Sequence, residues 1–297
     1  MLSSYCGEKY IAEQLDSILS QKNVDLKIIC RDDCSKDCTR DIIKKYVENY
    51  PQKIELIESE NLGFALSFTE LLKFGYEKHP DIQYFAFADQ DDVWLPDKLE
   101  RGIKNVSSFD PAIPVAYCSN TTLVDENLNF LRKGHLHPIN LTKAKALIQN
   151  IATGCTMVMN RKAVELYVTH LPEEIKVHDF LMFQICSFLG KVIYDSESRI
   201  LYRQHHNNQI GSPDFIGRMK KRLKGNFSKS ILLRQNQIFL NAFGALLTDE
   251  DKILFNKFIN YNKSFINKLK LLLDKEIKYN NRETDFFLSL KILLGTL

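Results

Sequence analysis

This 297-residue chain holds one tryptophan, eight prolines, twelve glycines and seven cysteines. So little glycine and proline excludes a collagen-like or low-complexity chain, and 44% hydrophobic residues supply a core that needs no disulfide or metal staple. The cysteines, Cys6, Cys30, Cys34, Cys38, Cys118, Cys155 and Cys186, are odd in number and sparse, which reads as reduced thiols in the cytoplasm. Cys30, Cys34 and Cys38 would face one another only on a continuous helix. The stretch Arg31 to Lys36 reads as a turn, so no zinc site is expected there. No apolar run reaches membrane-spanning length, and Met1 to Glu8 has neither a basic nor an apolar leader region. A cytoplasmic chain is expected, with any membrane contact peripheral and on the inner face. Gly-x-Gly-x-x-Gly, the Gly-x4-Gly-Lys phosphate loop, His-Glu-x-x-His and Gly-x-Ser-x-Gly are all missing, which removes support from dehydrogenase, P-loop, zincin and serine-hydrolase readings.

Charge is small in sum and uneven in place. The net +3 conceals sixteen Lys/Arg against eight Asp/Glu from Ser212 onward, and an acidic excess before it. An acidic body at 1–211 and a basic helical region at 212–297 are the expected divisions. From Arg218 to Arg234 there are seven basic and no acidic residues. That run suits an anionic membrane surface or a protein partner; no nucleic acid is expected.

Strand and helix patterns alternate along the first body. Apolar residues at helical spacing occupy Glu8 to Leu19, Thr39 to Tyr50 and Leu66 to Tyr76, and short strand-like runs occupy Leu26 to Cys30, Ile54 to Glu58 and Tyr84 to Ala88. Val115 to Ser119, Cys155 to Asn160 and Lys191 to Tyr194 add further strands, while Thr122 to Asn140 reads as loop. Such alternation predicts an α/β fold around a mostly parallel sheet, with ligand chemistry beyond the strand C-termini and a helical appendage after it.

Acidic residues gather at that edge. Asp89, Asp91 and Asp92 follow a fully apolar strand, and such a cluster repels itself unless a cation or strong donors offset it. Hard oxygen ligands suit Mg2+ or Mn2+ bridging a diphosphate; a helix-capping turn is the plainer reading. Asp32-Asp33 follows another strand and reads either as a ligand contact or as an Asx-turn. Asn61-Leu62-Gly63 is a third turn of either kind. Asp179, after His178, is a general base or an N-cap residue, and Tyr202 to Asn208, with Arg203 and His205, is a phosphate- and metal-facing loop or a polar surface.

Taken in order, these motifs resemble the inverting GT-A glycosyltransferases of family 2, especially a bacterial rhamnosyltransferase-like branch, over about residues 1 to 211. Ser3-Ser4-Tyr5-Cys6-Gly7-Glu8 resembles the nucleotide-binding opening and Asp32 to Thr39 the next base-binding turn. Asp89-Gln90-Asp91 resembles the family's Asp-x-Asp and His178-Asp179 its acceptor-side motif. The resemblance implies donor contacts from Ser3, Tyr5, Asp32, Asp89, Asp91 and Arg203, and Asn61 joins them as a donor contact if its turn faces the ligand. It implies metal ligands Asp91, Asp89 and His205, and Asp179 as the base. Its donor would be dTDP-rhamnose or a UDP-sugar and its acceptor an oligosaccharide or lipid-linked glycan, in cell-surface or capsular polysaccharide synthesis. A catalytically impaired glycan-binding or assembly module is the alternative. The chain departs from the family at its first strand, where only Met1 and Leu2 precede Ser3, so a truncated strand with weakened donor binding is expected. Cys6 stands in place of the commoner Asn, and Cys34 and Cys38 in place of commoner glycines. A non-glycine residue at positive φ there would carry strain.

Overall fold

The computed structural model describes residues 1–136, 139–205, 231–279 and 281–297. Three parallel strands, β1 (Leu2–Ser4), β2 (Ile28–Asp32) and β3 (Ile54–Glu58), lie in the order β1-β2-β3. Helices α1 (Ile11–Leu19), α2 (Thr39–Asn49) and α3 (Phe64–Lys78) alternate with them along the chain. Parallel strands need such crossovers, which is why the apolar spacing switches between two periods along this stretch. On its other side β1 meets the extension of β4 (Tyr84–Ala86). A Leu2–Ala88 bridge and an Ala88 N–H donated to the Met1 carbonyl at 2.9 Å join the two.

The second half of the sheet runs β4, β9 (Val158–Asn160), β6 (Val115–Ser119), β10 (Lys191–Asp195). β10 and β6 are parallel, and β9 is antiparallel to both of its neighbours. The mostly parallel sheet is thus observed with one reversed strand. Thr122 to Asn140, read as loop, contains β7 (Thr122–Val124) and β8 (Phe130–Lys133), which pair antiparallel. They form a small side sheet with β5 (Val93–Trp94) and β11 (Ile200–Arg203). β8 is exposed along its whole length, so no apolar alternation marks it.

Two helices close the body, α5 (Arg161–Thr169) and α6 (His178–Leu189), and nine of the twelve residues of α6 are buried. A helix apolar all round must be covered on every side. The cover comes from α7 (Ile231–Phe243) and α8 (Asp249–Ile259), where Phe239 and Phe255 pack against Phe188 with centroids 5.6 and 4.6 Å away. Gln184 donates to Asn236 Oδ1 at 3.0 Å and accepts from Gln235 Nε2 at 3.1 Å, so buried amides pair across this contact. α9 (Phe265–Leu272) and α10 (Arg282–Leu294) complete the described chain. The C-terminal helices and the sheet therefore share one core. No helix among the described residues is long and apolar enough to cross a membrane. Arg218 to Lys229 of the basic run lie outside the described residues.

Candidate active site

The C-terminal ends of β1, β2 and β4 open into a cleft of about 1210 Å³. Ser3, Tyr5, Asn61, Asp89, Asp91, Asp179 and His205 all line it. Seven positions spread over two hundred residues are thus brought to one cavity. Asp32 and Arg203 are not on its surface.

Asp32 is the last residue of β2 rather than part of a turn, and it is wholly buried. Its Oδ2 accepts the Ser35 N–H at 2.9 Å, the Asx-type bond of the plainer reading. Asp33 is the residue that reaches the cleft. Its carboxylate accepts the N–H groups of Leu62 and Gly63, both at 2.8 Å, and pairs with the buried Arg31 guanidinium. Arg31 also donates to Ser67 Oγ at 3.1 Å, and Ser67 shares a 2.6 Å hydrogen bond with Ser3. Asn61 donates to the Asp33 carbonyl at 2.8 Å. Four segments are thereby fixed around one ion pair. The signal for Arg31 was a charged residue ending an apolar strand beside two aspartates.

Arg203, expected on a phosphate, lies beneath the acidic turn. Its side chain donates to the Asp91 carbonyl at 2.8 Å and the Glu126 carbonyl at 2.5 Å, pairs with Glu13, and sits over the Tyr10 ring at 4.5 Å. Those contacts bind the turn to α1 and leave the guanidinium 2% exposed. Arg203 therefore holds Asp91 in place. His205 follows, and its Nε2 lies 2.7 Å from Asp91 Oδ2.

The acidic turn caps no helix. It runs into β5, and α4 (Lys98–Val106) begins later with Asp97 at its N-cap. Burial, then the charges of Asp91 and Asp179, push the Asp89 carboxyl up to about 7. Asp92 is driven well above the usual range by burial, then by the charges of Asp91 and Asp89, and its Oδ2 has no partner. Asp91 Oδ2 and His205 Nε2 offer an oxygen and a nitrogen close together and facing the cleft, which suits Mg2+ or Mn2+. Asp89, Asp92 and Cys155 also place ligand atoms within 4.8 Å of one another. Burial raises the Cys155 thiol well up, and a protonated sulfur is a poor ligand for a hard cation. Lys98 Nζ lies buried near this trio, 3.4 Å from the Trp94 ring centroid and pulled down to about 7 by burial. Nothing in the sequence distinguished it from a solvated helix lysine.

Gln90 was also missed. Its Oε1 accepts the Tyr5 N–H at 2.8 Å and its Nε2 donates to the Tyr5 carbonyl at 3.1 Å, so it clamps the first loop to the acidic turn. A Cβ on Gly7 would meet Gln90 Oε1 at 2.2 Å, so this loop needs glycine for the close approach. Cys6 and Cys34 have φ of 48° and 67°, where side chains are strained, whereas Cys38 is not in that region.

Asp179 sits in the first turn of α6, two residues past the N-cap Val177, and so does not cap that helix. Its Oδ2 accepts the Gly154 N–H at 2.8 Å. Its Oδ1 is buried without a hydrogen-bond partner, and burial raises the carboxyl to about 6. His178 stacks on Phe68 at 4.1 Å and meets the edge of Phe87 at 4.8 Å. Both of its ring nitrogens are unpartnered, and burial lowers it to about 3, so the ring is neutral.

Comparison with known proteins places this geometry. Residues 2–167 match the pattern of Glycosyl transferase family 2. Over 226 residues the chain is 29% identical to the dTDP-rhamnosyl transferase RfbG of Shigella flexneri, covering 71% of this chain and 74% of that protein. The putative teichuronic acid biosynthesis glycosyltransferase TuaG of Bacillus subtilis is 32% identical over 157 residues, 52% of this chain and 58% of its own. Among solved structures, S. aureus TarS (1–349) in complex with UDP aligns with a TM-score of 0.52 at 16% identity, over 99% of this chain and 89% of that one. A mannosyltransferase from Pyrobaculum calidifontis, in complex with GDP-Man and Mn2+, aligns at 0.50 with 15% identity over 100% of this chain and 86% of its own. These two share its fold, GT-A.

Proposed function

The chain belongs to glycosyl transferase family 2, and from that premise we propose that it transfers a sugar from a nucleotide diphosphate to a glycan hydroxyl with inversion at the anomeric carbon. Asp179 takes the hydroxyl proton; the oxygen attacks the anomeric carbon from the face opposite the diphosphate, and the bond to the diphosphate breaks. One observation carries the reading: Asp179 lines the same cleft as Asp91 and His205 and keeps one buried carboxylate oxygen without a hydrogen-bond partner. A carboxyl near 6 is ionised at neutral pH yet more basic than an exposed one. Ser3, Tyr5 and Asn61 line the nucleoside end, and Asp89 and Asp91 the diphosphate end. Asp32 and Arg203 act as positioning residues, since neither reaches the cleft. Asp91 and His205, with Asp89 beside them, would hold Mg2+ or Mn2+. A bound cation there would offset charge on the leaving diphosphate.

The name of RfbG supports dTDP-rhamnose as donor, with a UDP-sugar the other donor considered, and the name of TuaG supports a cell-surface polysaccharide as product. An oligosaccharide or lipid-linked acceptor follows from that. We place the enzyme in the cytoplasm at the inner membrane face. Phe265, Ile266, Leu269 and Leu273 are exposed on the side of α9 opposite the buried Leu271, with Lys268 and Lys270 flanking them. Binding to anionic vesicles that survives both Lys-to-Gln and Phe265→Ser changes would remove this placement. A glycan-binding module without turnover is the second reading, favoured by the strained Cys6 and Cys34 at the cleft. A nucleotide-sugar panel with and without divalent metal, read by mass spectrometry of candidate acceptors, separates the two. Donor consumption with a glycosylated product supports the enzyme; glycan binding with neither supports the module.

A further inference from the structure

Two cysteines at the nucleoside end of the cleft stand level with each other. Strands β1 and β2 pair Leu2 with Cys30, Ser3 with Arg31 and Ser4 with Asp32. Counted two places further, that parallel register sets Cys6 beside Cys34. The chain keeps close to it past the strand ends: the Asp33 N–H is donated to the Ser4 carbonyl at 2.8 Å and the Cys6 N–H to Ser35 Oγ at 2.9 Å. Neighbouring strands lie about 4.8 Å apart, inside the roughly 4.4–6.8 Å that a disulfide spans between Cα atoms.

The backbone singles out the same pair. Of the four non-glycine residues at positive φ among the described residues, two are Cys6 and Cys34. Glycine or asparagine takes that conformation readily and other side chains do not. Both cysteines are exposed and both line the cleft. The other thiols are poor competitors. Cys30, Cys118, Cys155 and Cys186 are buried, and burial raises each of them, which keeps them protonated and out of reach. Cys38 is exposed, but its hydrogen bond with the Glu8 carboxylate pushes its thiol up as well.

We propose that Cys6 and Cys34 are a redox-modified pair, which a low-molecular-weight disulfide oxidises to a single bond tying the first loop to the second at the nucleoside end of the cleft. One thiol loses its proton and its sulfur attacks the reagent RSSR, forming a mixed disulfide and releasing RS⁻. The second thiol loses its proton, attacks the protein sulfur of that mixed disulfide, and releases the other RS⁻. The two protons pass to the two RS⁻, so two protein thiols are oxidised and one RSSR is reduced to two RSH. The bond closes a loop of about thirty residues around α1 and β2, which removes conformations from the unfolded chain. It also joins the loop that carries Tyr5 to the loop that carries Asp33. That end of the cleft therefore answers to the thiol–disulfide balance, whether or not the chain transfers a sugar.

The test treats the full chain with oxidised glutathione, blocks the remaining thiols with an alkylating reagent, and maps the peptides by mass spectrometry. The expected product links the Cys6 and Cys34 peptides with loss of two hydrogens and leaves Cys38 alkylated. The thermal midpoint should rise by about 5 °C or more, and exchange at the Cys6 and Gly7 amides should slow at least about tenfold, both reversed by dithiothreitol. Cys38→Ser should behave as the parent. Cys6→Ser and Cys34→Ser should stop at a mixed disulfide with glutathione and keep the reduced midpoint. A bridge to Cys38, or glutathione adducts on the parent with no linked peptide, overturns the proposal. So does a Cys6–Cys34 bridge that leaves the midpoint and these amides unchanged.

Discussion

The two walls of the cleft treat their polar groups in opposite ways. On the nucleoside side, Asp33 is satisfied by Arg31 and two backbone amides, Ser3 by Ser67, and Asn61 by the Asp33 carbonyl. On the reacting side, Asp179 Oδ1 and both His178 nitrogens, and Asp92 Oδ2 behind the surface, have no hydrogen-bond partner, and the carboxyls of Asp89 and Asp179 are raised. A satisfied network rigidifies the surface it supports. An unsatisfied one costs stability and makes the site reactive, so the bare groups that line the cleft gather where chemistry is proposed, while on the nucleoside side the exception, Asp32 Oδ1, lies behind the surface.

The sharpest way to break this contrast is Asp179→Asn. Transfer should fall by about 10²–10⁴ with donor binding retained, the ordinary worth of a positioned base; parental rates measured by product formation would end the assignment. The same residue sets a pH dependence. Its carboxyl lies near 6 when folded, above the usual ~3.9. The folded state therefore binds this proton more tightly, so the stability gained is full below about pH 4 and is lost as pH rises through about 6. Transfer should decline as pH drops below about 6. Asp179→Asn should exceed the parent in stability by about 3 kcal/mol at pH 8 and come close to it near pH 4, in denaturant titrations at both values.

Arg31→Met attacks the saturated wall. Removing one partner of a buried pair leaves the Asp33 charge uncompensated, and a loss of about 3–5 kcal/mol is expected by chemical denaturation. A loss under about 1 kcal/mol would mean that the wall is not held by this pair. Gln90→Ala removes the two bonds to Tyr5; at about 1 kcal/mol each, donor affinity should weaken roughly tenfold or more by calorimetry, with the melting midpoint less affected. The smallest effect is expected of Cys34→Gly, which relieves a side chain at φ 67° and should raise stability by about 1 kcal/mol. Destabilisation there would show that the thiol makes contacts worth more than the strain.

Much of the cleft was legible because its residues follow strands. Asp89 and Asp91 stand out after Tyr84 to Ala88, and Asp179 before a helix apolar on every side. Arg203 shows the limit. A charged residue in a polar segment beside His205 reads as a ligand contact, yet burial and four partners make it a support, and no local pattern carries that difference. Gln90 and Lys98 are similar: one is defined by a loop 85 residues away, the other by a ring placed over its ammonium. β8 went unread because every residue in it is exposed.

By itself, the sequence determined the alternation of strands and helices, the acidic turns at strand ends and the family, because periodicity and turn chemistry act over a few residues. The tertiary structure decided which carboxylates are solvated, which are paired and which are left bare in the cleft. It also decided that the C-terminal helices join the core of the sheet domain. Each of these depends on what distant segments bring within a few ångströms, where loss of water and the nearest charge outweigh the chemistry of a side chain taken alone.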